Sequence, residues 1–194
     1  MLALLAAAAL TATGPAAAPP RGPPPGPELW RGARAGMTQE QVHALFPMAR
    51  QAPANLITRP PVANAVVGGS AIWAVDEEVF GRPAYATYYF GPSGLLEVVV
   101  NVKGLRLRHT RDNFEIARGI RAGLLQYYGR PTVCEDTAKR GLDRLDCRWV
   151  TPSVQVGLSY VDYGGLSPNL DVAVRAPAGR LHETGPVFGR HGAT

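Results

Sequence analysis

Cysteine is nearly absent from this 194-residue sequence, which holds only Cys134 and Cys147. Their spacing matches neither a CxxC redox motif nor a zinc pattern, and two sulfurs without a neighbouring histidine cannot complete a tetrahedral metal site. His43, His109, His182 and His191 are scattered, so no HxH or HExxH arrangement sets two imidazoles on one metal. Ser93 stands one position out of the G-x-S-x-G elbow, and Gly68-Gly69-Ser70 lacks the lysine and following helix of a phosphate loop. Asp76, Glu77 and Glu78 alternate between opposite sides of a strand and read as a solvated acidic edge rather than an acid/base pair. No residue is therefore assigned a catalytic, cofactor-binding or metal-binding role, and the expectation is a non-enzymatic protein. The apolar run at the start of the chain is too short to cross a bilayer core of about 30 Å, and no transmembrane span is expected in the mature chain.

Charge is sparse and uneven. Lys and Arg number 20 against 15 Asp and Glu, a formal charge of +5, and the pI is near 9.6. Much of the excess lies where Lys103, Arg106, Arg108, Arg111, Arg118 and Arg121 face Asp112 and Glu115. This stretch reads as the solvated end of a sheet and face of a helix. The alternative is weak contact with anionic lipid or polymer, while nucleic acid is not expected because no aromatic-rich binding motif accompanies the charge.

The chain opens on MLALLAAAALTA, an uncharged Leu/Ala run followed by small residues. This reads as an export signal over residues 1–18, cut between Gly14 and Ala18. Export places the mature protein in the periplasm or outside the cell, where Cys134 and Cys147 form a disulfide; in the cytosol the same pair would be two buried thiols. The bridge would stabilise the fold by about 3 kcal/mol in the chain-entropy model. Residues 19–33 read as a proline-rich linker and 176–194 as a flexible Gly/Pro-rich tail.

Between them, two stretches each run from a helix into strands: residues 34–104 and residues 105–175. In the first, Thr38 and Gln41 form a capping box, Met37 staples onto Val42, and Pro47 ends the helix. A long connection leads to strands at 71–80, 84–90 and 95–103. Pro92 and Gly94 predict a bulged hairpin turn. Pairing Gly91 with Leu95 then puts Ala86, Tyr88, Phe90, Leu96, Val98 and Val100 on one face. The other, mixed face carries Tyr85, Thr87, Tyr89, Leu95, Glu97, Val99 and Asn101. In the second stretch, a box at Asp112–Glu115 opens a helix to Tyr128 that gathers Ile116, Ala117, Ile120, Leu124, Tyr127 and Tyr128 on one side. Gly129 and Pro131 close it. Strands follow at 131–136, 145–151, 154–162 and 169–175, with the cysteines flanking a polar connection. Trp73, Tyr88, Phe90, Trp149 and Tyr160 are expected in the core. The pattern predicts an α+β protein of two tandem helix-then-antiparallel-sheet units, two layers deep.

Gly36-Met37-Thr38-x-x-Gln41-Val42, the strand Trp73 and Tyr89-Phe90-Gly91-Pro92-Ser93-Gly94-Leu95 resemble the SmpA/OmlA outer-membrane assembly lipoproteins. The doubled plan, repeated with Gly129-x-Pro131 and Trp149, is similar to the tandem architecture of the beta-lactamase inhibitor proteins. The resemblance implies a helix-plus-sheet fold and a role in the cell envelope. Lipid anchoring is not implied, since no cysteine precedes Cys134 and none stands just after the signal.

Tyr85 and Tyr89 stand on the mixed face with Glu97 and Val99, and a wet face bearing tyrosines beside aliphatics is a candidate binding surface. The functional expectation is an exported protein that binds an unidentified protein partner in the envelope. The alternatives are a small extracytoplasmic hydrolase or a basic module for anionic envelope polymers or lipids.

Overall fold

The first helix forms where the sequence places it. Thr38 Oγ1 accepts from the Gln41 N–H at 3.3 Å and Gln41 Oε1 accepts from the Thr38 N–H at 2.9 Å, which completes the capping box of α1 (Gln39–Leu45). Val42 is its buried residue, and just beyond its end the Phe46 ring lies 5.1 Å from that of Tyr88. The computed structural model describes residues 26–51, 70–139, 141–164 and 168–177, with 70–76 and 139 by backbone alone. The expected signal, the connection over 52–69, the Trp73 side chain and the tail beyond 177 lie outside the described residues or side chains.

The second helix, α2 (Thr110–Tyr128), begins earlier than expected: His109 occupies the cap with no side-chain bond, and Asp112 falls inside the first turn. The Asp112–Glu115 box does not form because the side chain of buried Asn113 turns back to the Arg106 backbone. Phe114, Ala117, Ile120 and Leu124 form the buried stripe. Tyr127 is exposed instead of buried, since it lies in the last turn and meets the Phe80 ring at 5.8 Å. The Gly129 N–H bonds to the Leu125 carbonyl at 3.0 Å with φ at 71°, ending the helix as glycine there predicts.

A hairpin of β1 (Glu28–Trp30) and β2 (Ala33–Arg34) replaces the last part of the expected linker, with Leu29, Ala33 and Ala35 in the core. The remaining strands are β3 (Arg50–Gln51), β4 (Ser70–Val79), β5 (Arg82–Gly91), β6 (Gly94–Val102), β7 (Val133–Lys139), β8 (Leu142–Val150), β9 (Gln155–Asp162) and β10 (Asn169–Arg175). They form one eight-stranded sheet in the order β3-β4-β5-β6-β10-β9-β8-β7, antiparallel at every pairing. The class is thus α+β. Both halves of the chain contribute to one sheet, joined where β6 pairs with β10.

Cross-strand partners share a face, so the register sorts the side chains. Tyr88, Val98, Val174, Val156 and Trp149 form one row; Ala86, Val100, Val172, Leu158 and Cys147 form the next. These rows are buried beneath the helices. The hairpin register differs from expectation by one residue at its tip. Gly91 pairs with Gly94 and Phe90 with Leu95, and the ladder then shifts so that Tyr89 meets Glu97. Leu95 therefore joins the core in place of Leu96. The extra residue restores the expected faces from Glu97 onward, which is the action of a bulge.

Cys134 and Cys147 are joined by a disulfide. They do not flank a polar connection; β7 and β8 are longer than predicted and the two residues face each other across the ladder, Cα atoms 4.0 Å apart. The acidic edge is also altered, because Glu77 is buried and pairs with Arg31 at 3.1 Å. That contact ties the β1–β2 turn to β4.

Candidate functional site: the second face of the sheet

Residues one position out of step with the core rows point to the other face. Tyr85, Asn101, Asp171, Ser159, Asp146 and Glu135 lie in one row across β5, β6, β10, β9, β8 and β7. Thr87, Val99, Ala173, Gly157, Arg148 and Val133 form the next row, followed by Tyr89, Glu97, Arg175, Gln155 and Val150. The structure thus brings Tyr85, Tyr89, Glu97 and Val99 together on one face. Their surroundings differ from the wet face expected: Tyr89 is 3% exposed, Glu97 2% and Val99 1%, while Tyr85 is half-buried. Burial raises the Tyr89 hydroxyl to about 12, helped by the charges of Glu97 and Asp171 and by Tyr85. Tyr85 is raised by burial first and by Asp171 second.

Asp171 is the least expected member. It is buried, and its carboxylate accepts hydrogen bonds from the side-chain amides of Asn101 and Asn169. Desolvation outweighs both bonds and pushes its carboxyl up to about 6. An exposed aspartate ionises near 3.8, so keeping Asp171 charged costs on the order of 3 kcal/mol. The sign follows from proton binding. Between about pH 4 and pH 6 the folded protein holds more protons than the unfolded chain, so stability falls as pH rises through that window. Asp171→Asn should therefore flatten the difference in unfolding free energy between pH 5 and pH 7 by about 1 kcal/mol. Urea denaturation of both proteins at the two pH values measures it; an unchanged difference would show that Asp171 ionises normally.

Toward β8 the face opens. A depression of about 10 Å³, room for about one water molecule, is lined by Glu97, Arg148, Gln155, Gly157, Ala173 and Arg175. Gly157 and Ala173 are too small to fill their row, which leaves the hollow. Arg175 donates to Gln155 Oε1 from Nε at 3.2 Å and from a terminal nitrogen at 2.9 Å. Burial lowers the pKa of Arg148. Beside these residues, Val133 is 62% and Val150 49% exposed.

Sequence reasoning did not single out Asp171, Arg148, Arg175, Val133 or Val150. The signal existed: Leu170, Val172 and Val174 alternate toward the core, so Asp171, Ala173 and Arg175 had to face the other way. Among the described residues no group of three or more His, Cys, Asp or Glu is placed to hold a metal ion, and no helix is long and apolar enough to cross a membrane. The arrangement offers hydrogen-bonding and apolar contact across a rigid sheet. The chain matches no protein-family model, no curated protein and no solved structure.

Proposed function

We propose that this chain is an exported protein of the periplasm or extracellular space that acts without catalysis, binding a protein partner in the cell envelope through the second face of its sheet. The observation that carries the reading is the open β7–β9 part of that face, where exposed Val133 and Val150 flank Arg148 and Gln155. Arginine beside aliphatic surface is the mixture found at protein interfaces. The buried part of the face, with Tyr89, Glu97 and Val99, then acts as the rigid support, and Tyr85 lies at its half-exposed margin. The disulfide fits an oxidising compartment, and the uncharged apolar start of the chain fits export.

The same reading takes the halves of the chain as related units, each a helix followed by antiparallel strands, as in the SmpA/OmlA-like resemblance. The mirrored strand order supports it: the last strand of each half, β6 and β10, meets the other at the centre of the sheet.

A photo-crosslinking residue at position 150 of the full chain, with position 125 on α2 as control, tests the surface in the native cell. Adducts are expected from 150 and not from 125, in an extracytoplasmic fraction, and Arg148→Glu should reduce them about fivefold or more. Adducts of equal strength from 125, or a cytosolic chain with two free thiols, would reject the reading.

A further inference from the structure

The connection from β6 to α2 packs Leu105 against the core, and the residues that follow it carry a device of their own. Arg106, Arg108 and Arg111 are all exposed, and among the described residues none of them forms an ion pair. Between the first two, Leu107 is 64% exposed. The nearby acids are engaged elsewhere: Asp112 faces His109 at 3.4 Å and Glu115 pairs with Arg118 at 3.2 Å.

This loop is held rigidly. The buried Asn113 side chain donates to the Arg106 carbonyl at 2.7 Å and accepts from the Arg106 N–H at 2.9 Å. Both ends of its amide are thus committed to one residue of the loop. The turn that follows puts Arg108 at a φ of 64°, a left-handed conformation that suits glycine or asparagine better than arginine. Neither packing nor backbone sterics asks for leucine at 107 or arginine at 108, and the clamp presents both to solvent.

We propose that this loop docks on an anionic lipid surface. Leu107 enters the head-group layer while Arg106, Arg108 and Arg111 bind lipid phosphates, and Lys103, whose ammonium lies 5.8 Å from the Tyr85 ring centre, adds charge at the loop's root. Guanidinium groups match phosphate in geometry and remain charged at any physiological pH. The protruding leucine selects the bilayer over a soluble polyanion, because only the bilayer offers an apolar layer for it to enter. The net charge of +5 draws the whole chain to the same surface.

Co-sedimentation of the full chain with vesicles of phosphatidylglycerol and phosphatidylcholine, against phosphatidylcholine alone, tests the proposal. The N-terminal apolar run is common to every variant, so differences between variants report the loop. Binding to anionic vesicles should weaken steeply with added salt. Replacing Arg106, Arg108 and Arg111 together by glutamine should lower the partition coefficient on the order of 100-fold, and Leu107→Asn about tenfold. Arg108→Asn separates docking from folding: asparagine accepts the left-handed turn, so Tm should not fall while vesicle affinity drops about fivefold. Equal binding to both vesicle types, or a triple variant that binds like the parent, overturns the proposal. So does a neutral Leu107→Asn with full competition by dextran sulfate, which would assign the arginines to a soluble polyanion. Failure of partner capture by the sheet face leaves these outcomes untouched, because the loop residues belong to a different element.

Discussion

Tyr88→Ala should be among the most damaging single truncations in the protein, costing about 3–5 kcal/mol. Tyr88 is fully buried on the core face, opposite Val98, with the Phe46 ring against it. Removing the ring leaves a cavity bounded by α1 and the sheet, neither of which can close over it without giving up its own contacts. The hydroxyl is a separate matter. It is buried with no hydrogen-bond partner among the described residues, and burial, followed by the charge of Glu77, raises its pKa. An unpaired buried hydroxyl is a cost to the fold, so Tyr88→Phe should be neutral or stabilising by about 1 kcal/mol. Urea denaturation of the two variants gives opposite signs if the ring is core and the hydroxyl unsatisfied. A Tyr88→Phe loss comparable with that of Tyr88→Ala would show that the hydroxyl has a partner. Tyr89→Ala, on the other face, should also destabilise, since Tyr89 is buried rather than on the wet face expected.

The second large effect is expected at Gly94, where Ala should cost about 3 kcal/mol or more. Its φ of 96° already disfavours a side chain, and an added Cβ would lie 2.3 Å from the Gly36 carbonyl oxygen and 2.8 Å from that of Met37. Backbone cannot yield as a flexible side chain can. The hydrogen bonds Gly36 N–H to Leu95 O, 2.9 Å, and Leu95 N–H to Met37 O, 2.7 Å, hold the lead-in to α1 against the start of β6. Relieving the clash would break both and loosen the helix from the sheet. Gly104 supplies the control: its φ is 83° but no atom of the described residues lies within 4 Å of an added Cβ, so Gly104→Ala should cost about 1 kcal/mol, the conformational part alone. Thermal or urea unfolding of both variants measures the excess at Gly94, and equal losses would refute the close approach.

The elements most legible in the sequence were those that depend on neighbours within a few residues. Thr38 and Gln41 cap each other across one turn, Gly129 stops α2 by its own φ, and the Pro92–Gly94 turn closes the hairpin. The alternation in 154–162 and 169–175 likewise shows which residues of β9 and β10 face the core, Tyr160 among them, and Tyr88 on β5 and Trp149 on β8 lie in the core as expected. The tip of the hairpin was misread because Leu95 is bonded to Gly36 and Met37, a contact with no local trace. The strands around the disulfide extend beyond the expected ranges because Asp136 and Asp143 stand at core-face positions, in register with Leu145 and Ala138, and interrupt the alternation.

By itself, the sequence determined the class of the protein, the start of α1, the end of α2 and the division of each strong strand into an apolar and a mixed side, because steric preference and periodicity act locally. The tertiary structure alone decided that both halves share one sheet through β6 and β10, that the cysteines face each other, and that Glu97 and Asp171 are buried while Val133 and Val150 are exposed. Strand order and burial depend on which distant segments meet. Pattern along the chain gives each strand two faces, but it does not say what, if anything, covers the second.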